Sequence, residues 1–118
     1  MGTFTWPIRL TPMGGGRSLE TEAMVDTGAT YTTLPRRKLQ ELGIEPIARR
    51  RFLLADGKPV DMEVGQAWIE IDGESVVTVV AFGADNAPAL LGAYTLEGLA
   101  LAADPTSQRL VPTNLIMY

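Results

Sequence analysis

Asp26 follows the apolar stretch Ala23-Met24-Val25 and precedes Thr27, Gly28, Ala29 and Thr30. A carboxylate in this place emerges from the end of a buried strand, and the small residues behind it leave the backbone accessible. Few other side chains are available to share chemistry with it. The chain has no histidine and no cysteine. Ser-His-Asp and Cys-His pairs are therefore impossible within one chain, and the usual zinc sites and disulfides go with them. Acid-base work must fall to Asp, Glu, Lys or Tyr. Taken alone, Asp-Thr-Gly is also an ordinary turn, with Asp bonding to nearby N–H groups and Gly supplying positive φ. Its context includes a second apolar-apolar-Gly step, Leu90-Leu91-Gly92, which leads into a short helical pattern.

The elements that must position Asp26 are mostly short strands. Residues 3–11 are rich in β-formers and end at the turn Pro12-Met13-Gly14-Gly15-Gly16. Residues 20–25 read as the return strand and 30–34 as another. Pro35 opens a short helix in which Leu39 and Leu42 share a face, with Gly43 as its stop. The clearest hairpin joins residues 50–54 to 59–71 through Ala55-Asp56-Gly57-Lys58, because Asp-Gly can place both central residues at positive φ. Within 59–71 the apolar parity runs Val60, Met62, Val64 and then Ile69, Ile71. That shift predicts a bulge or bend near Gly65. The turn Asp72-Gly73-Glu74 leads into residues 76–82, whose lack of alternation predicts burial on both faces. A short helix over 93–99, a hairpin of 99–103 with 108–111 around Asp104-Pro105-Thr106-Ser107, and an exposed apolar strand over 114–118 complete the chain. This pattern predicts a β-barrel or sandwich-like domain.

Composition sets outer bounds. With 118 residues, 46% of them hydrophobic and 20% charged, the chain fits one globular domain spanning residues 1–118. Its 14 acidic and 10 basic residues give a net charge of -4, which offers no electrostatic reason to bind nucleic acid. Arg49-Arg50-Arg51 is a basic cluster that reads as a solvated strand start or edge. No apolar run is long enough to span a bilayer, and Met1-Gly2-Thr3-Phe4 shows no basic n-region of a signal peptide. We expect an intracellular, cytoplasmic protein with no membrane partner. Trp6 and Trp68 are expected to pack in the core or at an interface.

In order and spacing these parts resemble the retroviral-type (retropepsin-like) aspartic proteases, single-domain relatives of pepsin, over nearly the whole chain. The motifs are the Asp26-Thr27-Gly28-Ala29 loop after an N-terminal hairpin, a flap hairpin at 50–71, an inner strand pair, Leu90-Leu91-Gly92, a short helix and a terminal strand. The resemblance implies a closed acid-protease-like β-barrel with one or two short helices and a flap over the active site. It also implies peptide hydrolysis by a water held between two aspartates that share a proton, a pairing for which aspartic proteases are the standard case. Pepsin-like chains carry two such motifs and this chain has one, so Asp26 is expected to meet its twin in a homodimer. The apolar terminal strand would help hold the two copies together.

By position, Thr27 would bond across the twofold axis, and Gly28 would permit close approach and a special φ. Gly28, Ala29 and Thr30, with Ala55, Asp56 and Gly57 of the flap tip, would hold the substrate backbone. No metal or cofactor is expected. The helix after Gly92 would buttress the active-site loop. Ala29 lacks the hydroxyl with which a serine could favour the ionised carboxylate, so the resemblance implies a less acidic optimum than that of pepsin. The flap tip departs from the glycine-rich retroviral pattern: one glycine, two charges and a proline imply a stiffer, more polar tip. Two alternatives stay open. One is a non-proteolytic dimeric peptide-binding or assembly domain of the same fold. The other is an unrelated β-domain in which the motif is only a turn, a reading that a private salt bridge at Asp26, far from any symmetry mate, would support.

Overall fold

The structure, a computed structural model, describes residues 4–117. The expected start of the first strand at Thr3 and the terminal Tyr118 lie outside them. Strands β1 (Thr5–Pro12) and β2 (Leu19–Val25) form the first hairpin, its turn carried by Gly15 and Gly16 at positive φ. Strand β3 (Thr32–Pro35) runs straight into helix α1 (Arg36–Glu41), with Pro35 as the residue before the helix rather than within its first turn. Gly43 at φ +81 closes α1, its N–H bonding to Gln40 O while that of Ile44 reaches Leu39 O. This doubled C-terminal bond is the reason a glycine stops the helix there. At the other end, the Arg37 N–H donates to Asp85 Oδ1 at 2.8 Å, a cap supplied from a loop far along the chain.

The flap consists of β4 (Ala48–Leu53) and the first half of β5 (Pro59–Ile71), and β5 then turns back into β6 (Glu74–Gly83). The two Asp-Gly turns resolve differently. Asp72 and Gly73 both have positive φ, so the two-residue β5–β6 turn is the primed type. At the flap tip only Gly57 does, while Asp56 does not. There Gly57 N–H bonds to Leu54 O and Leu54 N–H to Lys58 O, a longer connection ending in one left-handed residue. The expectation that both central residues of this turn take positive φ is corrected accordingly.

Strands β7 (Leu90–Leu91), helix α2 (Ala93–Gly98), β8 (Leu101–Asp104) and β9 (Arg109–Pro112) follow. The large sheet runs β1-β2-β7-β3-β6-β5-β4, and β1 also pairs with β5, so it closes on itself and leaves β4 as an outer edge. Ile8, Leu10, Val25, Leu34, Ile69 and Phe82 are among the core residues this ring encloses. Strands β8 and β9 form a separate two-stranded sheet. Among the described residues, no helix is long and apolar enough to cross a membrane.

The parity shift in β5 has another cause than the one expected. Pairing is continuous with β4 from Pro59 to Val64 and with β6 from Val64 to Ile71, so no residue is inserted and there is no bulge. Instead β5 is covered on opposite faces at its two ends. Val60 and Met62 line the space under the flap and Val64 on the same face is buried, whereas Ala67, Ile69 and Ile71 face the core. Gly65 lies at the crossover, where an added Cβ would come within 2.8 Å of Glu45 O. The burial expected for residues 76–82 holds on both faces only from Val80 onward. Trp6 packs against the core, while Trp68 lies on the outer face of β5, 40% exposed. Residues 114–117 are apolar in part and exposed, but they form no paired strand within this chain.

Candidate active site

Strand β2 carries Asp26 out of the core between two neighbours. The Val25 N–H donates to Phe4 O, and the N–H groups of Met24 and Asp26 donate to Ala89 O and Leu91 O on the β7 side. Beyond Asp26 the chain turns at once. The Gly28 N–H donates to Asp26 Oδ1 at 3.0 Å, and the Ala29 N–H donates to Asp26 O at 3.1 Å. The carboxylate is thus aimed by its own loop. Gly28 is not among the positive-φ residues, so the special φ expected for it is corrected. Its lack of a side chain matters for space, since a Cβ there would lie 3.3 Å from Asp26 Oδ1.

Helix α2 supports this loop from behind, as the sequence led us to expect. The Ala93 N–H donates to Ala29 O at 2.8 Å and the Tyr94 N–H to Thr30 O at 2.9 Å. The first turn of the helix therefore satisfies carbonyls of the loop with donors that have no partner inside a helix. Gly92 makes the approach possible: a Cβ at this position would lie 2.5 Å from Tyr31 C. Beneath runs a buried chain of polar groups. The Gly92 N–H donates to Thr32 Oγ1, which bonds Thr95 Oγ1 at 2.7 Å, and Thr95 Oγ1 bonds Thr78 Oγ1 at 2.9 Å. All three threonines are buried. They tie β3, β6 and α2 together, and sequence reasoning passed over them.

Above the loop, the flap encloses a cleft of about 890 Å³. Of the residues singled out from the sequence, Asp26, Gly28, Ala29, Thr30 and Ala55 border it, and Thr27, Asp56 and Gly57 do not. The Asp56 carboxylate is occupied within its own turn, accepting the Lys58 N–H at 3.0 Å. The roof is made by inner-face residues of the flap, Phe52, Val60 and Met62, together with Leu53 and Leu54. The alternation of β4 and β5 could have identified the inner-face set. Tyr31 connects floor and roof, with its ring edge-on to Phe52 at 5.9 Å and to Tyr94 at 5.7 Å.

No cation lies within ion-pair distance of Asp26 among the described residues, which removes the private salt bridge of the unrelated-domain alternative. Nor do His, Cys, Asp or Glu side chains gather anywhere in a group of three able to hold a metal ion among the described residues. Elsewhere on the surface, the hydrogen bond from Arg51 and its charge hold Asp61 below the ordinary carboxylate range. Asp104 is lowered by hydrogen bonds from the Ser107 hydroxyl and the Thr106 N–H.

Comparison with known proteins agrees with this architecture. A family model described as aspartyl protease matches residues 12–95. Among solved structures, EIAV protease in complex with the inhibitor HBY-793 superposes with a TM-score of 0.61 at 16% identity, covering 98% of this chain and 94% of that one. No curated protein sequence matches. The loop after β2, the flap above it and the helix behind it are those of a retropepsin-like fold, and the chain belongs to the aspartyl protease family.

Proposed function

We propose that the protein is a homodimeric aspartic endopeptidase in which Asp26 of each copy contributes one carboxyl to a shared site. The single observation that carries this reading is the placement of Asp26. Its backbone is clamped by Leu91 O, its Oδ1 is oriented by the Gly28 N–H, and it opens unpaired onto the cleft beneath the flap. Across a twofold axis, two such carboxyls close together cannot both ionise, so they share a proton. The ionised member takes a proton from water as that water attacks the scissile carbonyl. The protonated member donates a hydrogen bond to the carbonyl oxygen and then supplies the proton that releases the amine. Thr27, which is exposed, would bond its counterpart loop in the partner.

The substrate would lie extended between the Gly28-Ala29-Thr30 floor and the flap, held by main-chain bonds with side chains in apolar pockets. Leu115, Ile116 and Met117 are 64%, 77% and 95% exposed. An unpaired apolar segment of this kind is the natural surface for strand pairing with a second copy. The test is peptide cleavage assayed across protein concentration. Rate per chain rises steeply until dimers saturate, and Asp26→Asn abolishes it without loss of folded structure. Unaltered cleavage by that variant would eliminate the chemistry.

A further inference from the structure

The three consecutive arginines of β4 do not share one environment. Arg49 and Arg51 lie opposite the carboxylate residues Glu63 and Asp61 in the β4–β5 pairing, and Arg51 Nε bonds Asp61 Oδ1 at 3.0 Å. Arg50 lies opposite Met62, two residues from Phe52, and so shares the inner face of the flap with Phe52, Met62 and Val60. It borders the same cleft as Asp26, and so does Arg51, but the Arg51 guanidinium is already paired with Asp61. No carboxylate lies within ion-pair distance of it among the described residues. One guanidinium N–H is bonded to Arg49 O at 2.8 Å, which anchors the group. The other donors of its fork remain available.

An inner flap face meets whatever occupies the cleft, and apolar residues fill the neighbouring inner positions. A cation there with no carboxylate of its own awaits one from outside. We propose that Arg50 is a specificity residue that binds an acidic side chain, Asp or Glu, of the peptide lying in the cleft. The proposal rests on the reading of the cleft as a peptide site and adds the substrate class: extended peptides that combine apolar residues at the scissile bond with a carboxylate at one fixed position beside it. Geometry favours a side chain carboxylate, because the planar fork of arginine matches two oxygens at once. Lysine or arginine at that substrate position would meet a like charge.

The test uses the full-length protein and a set of peptides with one central apolar-apolar bond. Each flanking position is varied in turn among Glu, Gln and Lys. At one position kcat/KM is expected to be about fivefold higher for Glu than for Gln, the order expected of a partly exposed ion pair. It should be lower again for Lys, and the spread should narrow as salt is raised. Arg50→Gln should flatten the spread, and Arg50→Glu should invert it in favour of Lys. Arg49→Gln, on the outer face of the same strand, should leave it intact. Binding of the same peptides to Asp26→Asn protein, followed by fluorescence anisotropy, separates the two readings. Glu-selective binding that depends on Arg50, without cleavage by the native protein, would sink the protease reading and keep this one. Efficient cleavage with no charge preference at any position, or a preference that survives Arg50→Gln, would overturn the role of Arg50.

Discussion

On the floor of the cleft, the segment from Asp26 to Thr32 is held by Leu91 O, by the first N–H groups of α2 and by a buried run of threonine hydroxyls. Over the same cleft, the flap hangs from an edge strand, and Leu53 and Leu54 stand 72% and 52% exposed. Its one side-chain ion pair between strands, Arg51 with Asp61, faces solvent. The floor draws on buried hydrogen bonds, which are costly to break because the freed groups cannot reach water. The roof draws on exposed pairing, which opens at little cost. A site built in this way holds the carboxylate by more buried bonds than it holds its cover.

Substitutions that target the two regions should therefore differ sharply. The largest effect is expected from Gly92→Ala. The new Cβ would collide with the Tyr31 backbone at 2.5 Å, and neither the helix nor the loop can yield without breaking the bonds between them. A loss of about 3 kcal/mol or more is expected in chemical denaturation, together with loss of activity. A stable, active Gly92→Ala protein would show that the floor is softer than its hydrogen bonds suggest.

Next comes Thr95→Val, nearly isosteric, which leaves Thr32 and Thr78 without their shared partner. A cost of about 1–3 kcal/mol is expected. Added amide exchange should appear in α2 and the Asp26 loop rather than in the flap. Exchange spread evenly over both regions would mean that floor and flap are not held differently.

The smallest effect concerns pH at the roof. Asp61 has its pKa lowered in the folded protein from an ordinary value of 3.8. Its contribution is thus complete above that value and is lost as pH falls through the lower folded pKa. Amides of β4 should lose protection on acidification below about pH 4 in native protein but not, in the same window, in Asp61→Asn. Identical pH profiles for the two proteins would mean that the pair does nothing for the flap.

Sequence patterns located most of this architecture, and the failures have physical reasons. Residues 59–71 were bounded correctly because a proline and an Asp-Gly turn mark the two ends. Of the bulge or bend predicted near Gly65, the bulge is absent: alternation records which face is covered, and a strand that passes from flap to core changes its cover without changing its register. Asp26, Gly28, Ala29, Thr30 and Ala55 border the cleft, as their positions in the family resemblance implied. The hydroxyl chain of Thr32, Thr78 and Thr95 was not, because those residues meet only after β3, β6 and α2 have packed. The same applies to Asp85 capping α1. The terminal segment read as a strand because of its composition, yet a strand needs a partner that one chain does not supply.

The central claim, that two chains build one site, is tested most directly by mixing. Native protein and Asp26→Asn protein are combined in equal amounts, allowed to exchange subunits, and assayed at a total concentration where dimers are saturated. If each site needs a carboxyl from both copies, random pairing leaves about a quarter of the activity of native protein at the same total concentration. Retention of about half, with no loss beyond dilution, would mean that each chain works alone and would contradict the account.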